Sequence, residues 1–175
     1  MKRCCLFLIA GMVLLGGCAS VSTEDIKVKT QSDPKTNFKG LKTYAWLGSA
    51  AIVNDPLGQW EPPTFDADAE IRTLINRQLQ GRGMVETSGR VDLIVAYAAG
   101  INMDAFRLKV NPETKMNMLE QVPEGGLVVV FMDGISGQVN WVAVASADIQ
   151  KNPTAKTVKK RLDYAVTQMF KALPK

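Results

Sequence analysis

The stretch from Leu127 to Ala145 constrains the fold of this chain more than any other. Leu127 to Met132 and Val139 to Ala145 are apolar runs rich in strand-forming residues. Asp133-Gly134-Ile135-Ser136-Gly137 joins them with turn-forming residues, so the whole reads as a β-hairpin led into by Gly125-Gly126. Val91 to Ala99 is a second, nearly unbroken apolar run, the pattern of a central strand buried on both sides. Phe106, Leu108 and Val110 alternate up to Asn111-Pro112-Glu113-Thr114, and Met116 and Met118 alternate after it, which predicts another hairpin. Ile26 and Val28 alternate with Lys27 and Lys29 as in a half-solvated edge strand, closed by Ser32-Asp33-Pro34. A further strand is expected at Thr43 to Leu47.

Two segments have helical periodicity. Asp66 opens the first with acidic residues in its first turn, and Ile71, Leu74, Ile75 and Leu79 form its apolar stripe before Gly81 and Gly83. Asn152-Pro153 supplies a cap and a first-turn proline to the second, whose stripe is Val158, Leu162, Ala165, Val166, Met169 and Phe170. Lys156, Lys159, Lys160 and Arg161 are assigned to its solvated outer face, which could also meet anionic headgroups. Between strand and helix, residues 50–64 carry Asn54-Asp55-Pro56, Gly58 and Pro62-Pro63, a loop without regular structure that bears Trp60. The expected fold is α+β: a mostly antiparallel sheet covered on one side by two helices, in a single domain over residues 25–175.

Residues 1–17 read as something other than domain. Lys2 and Arg3 precede an apolar run from Cys4 to Leu15 that ends in Leu15-Gly16-Gly17-Cys18-Ala19-Ser20. The run suits a secretory signal and is shorter than the roughly 20 residues that span a bilayer. Small residues directly before a cysteine match the cleavage site of a lipoprotein signal peptidase, with Cys18 as the lipid-bearing residue. Residues 18–24 then form the lipidated cysteine and a short tether. Acyl chains on one cysteine contribute about 0.8 kcal/mol per buried methylene, so release would be negligible. Ala19 stands where an aspartate would signal inner-membrane retention, which points to the periplasmic face of an outer membrane.

This reading leaves the mature chain with no disulfide and no free thiol. Cys4 and Cys5 leave with the signal and Cys18 is acylated, so burial alone must hold the domain. The chain has no histidine, which excludes Ser-His-Asp and Cys-His catalysis. Its formal net charge of +4 includes Lys2 and Arg3, so a nucleic-acid surface is not indicated. Asp92, Asp104 and Asp133 are the carboxylates worth weighing for acid-base or metal work, and backbone bonding at strand entrances and turns explains them as well. No metal site and no cofactor is expected. Gly81-Arg82-Gly83 and Gly125-Gly126 lack the strand-to-helix context of phosphate loops. Trp46 and Trp141 should pack under the helices, whereas Trp60 either anchors a partner, dips into a membrane interface or folds as a lid. Met103, Met116 and Met118 read first as core filler and otherwise as the lining of an adaptable apolar groove.

Asp33-Pro34, Phe38 and Lys42-Thr43-Tyr44-Ala45-Trp46-Leu47 resemble the opening block of the bacterial lipoproteins of domain-of-unknown-function family 4136. The likeness continues through Ile71 to Leu79, Gly83, Val91 to Tyr97, Gly125 to Val129, Asp133, Gly137, Trp141 and the final helix. One departure is that Val142 and Ala143 follow Trp141, where that family typically has a basic residue and glycine. The resemblance implies fold and envelope location, and carries over no catalytic residue. The expectation is therefore a non-enzymatic envelope lipoprotein that binds another envelope component, most plausibly a protein, through a sheet edge or the Trp60 loop. The alternative is a carrier or sensor of a small apolar ligand held between sheet and helices. A hydrolase using Asp92 or Asp133 comes third.

Overall fold

The structure, a computed structural model, describes residues 21–47, 51–52, 62, 64–100, 105–122, 126–148, 150 and 152–174. Its centre is the expected hairpin, β8 (Gly126–Asp133) and β9 (Val139–Ser146), paired antiparallel from Leu127↔Ala145 to Met132↔Val139. Pairing shifts between Phe131 and Met132, leaving Asn140 as the extra residue of a bulge. The bulge lets Val139 and Trp141, two residues apart, join opposite faces. A side chain could not exist at Gly126, because a Cβ there would lie 1.9 Å from the Ala145 carbonyl oxygen.

β5 (Leu93–Gly100) lies against β8, and the edge strand β1 (Lys27–Ser32) lies against β9, both antiparallel. The other half of the sheet is parallel, which the alternation did not reveal. β2 (Thr43–Trp46) pairs with the first part of β5, the two-residue β3 (Ala51–Ile52) with its last part, and β4 (Val85–Glu86) with β2. The cause is the helix α1 (Ala67–Gly81) between β3 and β4, since a helical crossover returns the chain parallel to the strand it left. The sheet order is β1-β9-β8-β5-β2-β4, with β3 on β5. β3 also corrects the expectation that residues 50–64 lack regular structure.

α1 and α2 (Ala155–Lys171) cover one face. Glu70 meets Lys159 at 2.8 Å, Arg77 meets Asp163, Gln78 meets Thr167 at 3.4 Å, and Arg82 donates to the Phe170 carbonyl at 2.7 Å. These pairs advance together along both helices, so the helices run in the same direction and share a common N-terminal end. Asp66 caps α1 through the Ala69 N–H at 2.9 Å. Thr154, not Asn152, caps α2, accepting from the Thr157 N–H at 3.2 Å. Pro153 precedes that cap, and Asn152 takes a positive φ of 49°.

The second face is not bare. β6 (Ala105–Val110) and β7 (Asn117–Val122) form the expected hairpin, and it lies over β8 and β9. Leu108 and Leu119 pack there on Val128, Val130, Val139, Val142 and Val144. The doubly buried strands are therefore β8 and β9. β5 alternates between buried residues and the half-buried Ile94, Ala96 and Ala98, because the hairpin stops short of covering it.

Candidate functional site

The molecule has two ends, set by the strands. Ser146, Gly100 and the helix N-termini lie at one, and the β8–β9 turn, the β6–β7 turn and the helix C-termini lie at the other. β8 alone, with eight residues at about 3.3 Å each, separates them by roughly 25 Å.

At the first end the chain is clamped as it enters the domain. Arg161 Nη1 donates to the Ser22 carbonyl at 2.6 Å and to Asp25 Oδ1 at 2.9 Å, while Nη2 donates to Asp25 Oδ2 at 2.5 Å. The Asp148 N–H adds a bond to Asp25 Oδ2 at 2.9 Å. Hydrogen bonds from the guanidinium hold the Asp25 carboxyl down at about 2, below the usual carboxylate range. Arg161 is buried, which overturns its assignment to the outer face. It shares the face of Val158, Leu162 and Ala165, so helical spacing placed it inward while its charge suggested otherwise. Lys156, Lys159 and Lys160 are exposed as expected.

A polar and aromatic cluster runs along α1 where it meets β2 and β5. Tyr97 OH donates to Asp68 Oδ1 at 2.6 Å, and Arg72 Nε donates to the same oxygen at 3.1 Å. The Arg72 guanidinium lies 4.7 Å from the Trp46 ring centroid, and Trp46 meets Tyr97 edge to face. Tyr44 OH and Trp46 Nε1 both donate to Asn76 Oδ1, at 3.0 and 3.1 Å. Burial and the Asp68 carboxylate push the Tyr97 hydroxyl well above the usual phenol range, so it stays protonated and donates to Asp68. None of this network was read from the sequence, although Asp68, Arg72 and Asn76 follow one another at helical spacing.

Two of the weighed carboxylates hold structure. Asp92 Oδ2 accepts from the Lys42 N–H at 2.8 Å, the Thr43 N–H at 2.9 Å and Thr43 Oγ1 at 2.9 Å, tying β2 to the entrance of β5. Asp133 Oδ1 accepts from the Ile135 and Ser136 N–H groups, at 3.0 and 2.7 Å, inside the β8–β9 turn. These bonds lower both carboxyls. Asp104, Met103, Trp60 and Cys18 lie outside the described residues. Among the described residues, no group of three or more His, Cys, Asp or Glu could hold a metal ion, and no helix is long and apolar enough to cross a membrane. Trp141 is buried under the helices as expected, and Trp46 is half-buried beside α1.

At the second end a cavity of about 240 Å³ opens between sheet and helices, lined by Phe38, Leu41, Met84, Leu93, Phe131 and Leu173 with Lys39 and Arg82. Arg82 also caps the last turn of α2. On the opposite face, Val110, Met116 and Met118 are exposed around the tip of the β6–β7 hairpin, so the two methionines are not core filler. Ile135 stands out of the neighbouring β8–β9 turn.

This arrangement defines an α+β domain: a mixed sheet with a parallel pair of helices on one face and a β-hairpin on the other. The chain belongs to the family described as Domain of unknown function (DUF4136), which matches residues 28–175. A crystal structure of a DUF4136 family protein from Bacteroides thetaiotaomicron is similar, with a TM-score of 0.55 and 13% identity over 85% of this chain and 95% of that one. It has the same fold. A PelC dodecamer from Paraburkholderia phytofirmans gives a TM-score of 0.45 and 15% identity, covering 82% of this chain and 97% of that one. A PDZ domain protein from Parabacteroides distasonis gives 0.44 and 14%, covering 86% of this chain and 37% of that one. Among curated proteins none matches.

Proposed function

We propose that this protein is a lipoprotein of the cell envelope, anchored through acyl chains on Cys18 and most at home on the periplasmic face of an outer membrane. The observation that carries the reading is the sequence Leu15-Gly16-Gly17-Cys18 after a charged and then apolar leader. The Arg161 clamp supports it, because the chain is docked from Ser22 onward, only four residues beyond Cys18. The domain acts as a binding module for another envelope component, a protein above all, and not as an enzyme. Val110, Met116, Met118 and Ile135 offer apolar contacts at the end far from the tether, and Trp60 is proposed as a further contact. The edge strand β1 is a poorer dock, since exposed Lys27 and Lys29 guard it against added strands.

Feeding cells a clickable palmitate analogue tests the anchor: wild-type protein takes up label and Cys18→Ser does not. Unlabelled wild-type protein would overturn it. Photo-crosslinkers at Trp60 and at Met118 test the module in intact cells. A single protein captured at either position supports it, and none at both rejects it.

The cavity favours a second reading, a carrier of a small apolar ligand. Its roughly 240 Å³ lies just below the ~300 Å³ lower bound of typical ligand sites. Native mass spectrometry after incubation with envelope lipid extract should show an adduct that Met84→Trp abolishes, and a bare wild-type chain would reject it.

A further inference from the structure

We propose that the first two turns of α2 face the membrane, held toward the phosphate headgroups of the bilayer by the Arg161 clamp. This rests on the reading of Cys18 as the lipid-bearing residue. Four residues from Cys18 to Ser22 span at most about 14 Å even when fully extended. Ser22 is bonded directly to Arg161 on the second turn of α2, so whatever holds Cys18 also holds that part of the helix close. A tether ending in mobile chain would let the domain swing freely. A tether whose last residues are locked to a buried guanidinium confines it to a narrow range of orientations.

The charge on α2 fits an anionic surface. Lys156 and Lys160 are exposed, stand four residues apart on one face, and form no ion pair among the described residues. Like charges at that spacing oppose the helix, and cations near its N-terminus oppose its dipole. α1 runs alongside in the same direction and shows the ordinary arrangement, with Asp66 as cap and Asp68 and Glu70 in its first turn. α2 has no acid there, and Glu70 engages Lys159 rather than Lys156 or Lys160. Lys27 adds a third exposed cation at this end, against the exposed acids Glu24 and Asp148. Headgroup phosphates would neutralise Lys156 and Lys160. The acidic start of α1 would turn that helix away, so the pair selects which side lies down. The cavity and the hairpin tip then point outward from the membrane.

Lysine acetylation footprinting of the acylated chain, in vesicles of phosphatidylcholine alone or mixed with phosphatidylglycerol, tests this. In the mixed vesicles Lys156 and Lys160 should react several-fold more slowly than in the first, while Lys39 and Lys115 at the other end react unchanged. Equal reactivity at both ends, or protection of Lys39 and Lys115 instead, would overturn it. Lys156→Glu with Lys160→Glu changes only exposed side chains and should abolish the dependence on phosphatidylglycerol. Arg161→Met should spread protection over both ends. The mass of the Cys18 peptide separates the two readings. An unmodified thiol removes the natural anchor, and a maleimide lipid coupled to Cys18 of residues 18–175 still decides the orientation.

Discussion

Toward the helices, β8 and β9 present Phe131 and Trp141, whose rings lie 4.6 Å apart and meet Phe170 of α2 at 5.7 and 5.8 Å. Toward the hairpin the same strands present five buried valines and the half-buried Met132, met by the half-buried Leu108 and Leu119. The helix layer is fastened by caps, cross-helix polar pairs and the Arg161 clamp. In the hairpin layer Asn117 Nδ2 donates to the Val139 carbonyl at 3.3 Å, and the Leu108 N–H donates to Gln31 Oε1 at 2.7 Å. Burial of both faces therefore does not make them equal. One face carries the fold and the other shields it, and regions of low local stability are where proteins commonly place binding surfaces.

The contrast breaks first at Trp141. Trp141→Ala should cost about 3–5 kcal/mol, read from urea unfolding, because it empties the centre of an aromatic cluster. Asp25→Asn comes next, at about 1–2 kcal/mol near neutral pH. The Asp25 carboxyl is lowered on folding from 3.8 to about 2, so its contribution is present above the unfolded value and disappears as pH falls through the folded one. The gap between wild type and variant should close across that acid window; a gap independent of pH would refute the ionic basis of the clamp. Leu119→Ala, on the hairpin face, should cost about 1 kcal/mol, less than the 2–5 of a buried leucine because the side chain is half exposed. It should expose the valine face to a hydrophobic dye before unfolding begins. Amide exchange in β6 and β7 should also be faster than in β8 and β9, and equal protection would show that the two layers unfold together. Smallest is Met118→Ser, an exposed site expected within about 0.5 kcal/mol of wild type. Any loss of crosslinking from position 60 in that variant would then report on contact and not on folding.

Sequence periodicity found both hairpins, both helices and the edge strand, because each is a local pattern with its own turn or cap. It missed what depends on distant partners. The parallel half of the sheet rests on β3 and β4, each two residues long and too short to show any period. Alternation in Phe106 to Met118 marked a hairpin but could not say that it would cover β8 and β9, which moved the doubly buried position away from β5. Arg161 was misplaced for a different reason. Composition assigns a cation to water, and only Asp25, far away in sequence, makes its burial tolerable. The mixed character of the sheet follows from the same limit. Of the proposed site, the Cys18 motif was legible outright, the cation pair on α2 was visible as a charged face, and the clamp that gives it direction was not.

The pairing of β1 with β9 joins Lys27 to Ser146, and Asp25 to Arg161 lies close by. A chain delivered with its N-terminus first must leave the edge of β9's partner open until nearly all of it has emerged. Folding cannot be completed piecemeal from the front. The first strand made is among the last to be locked.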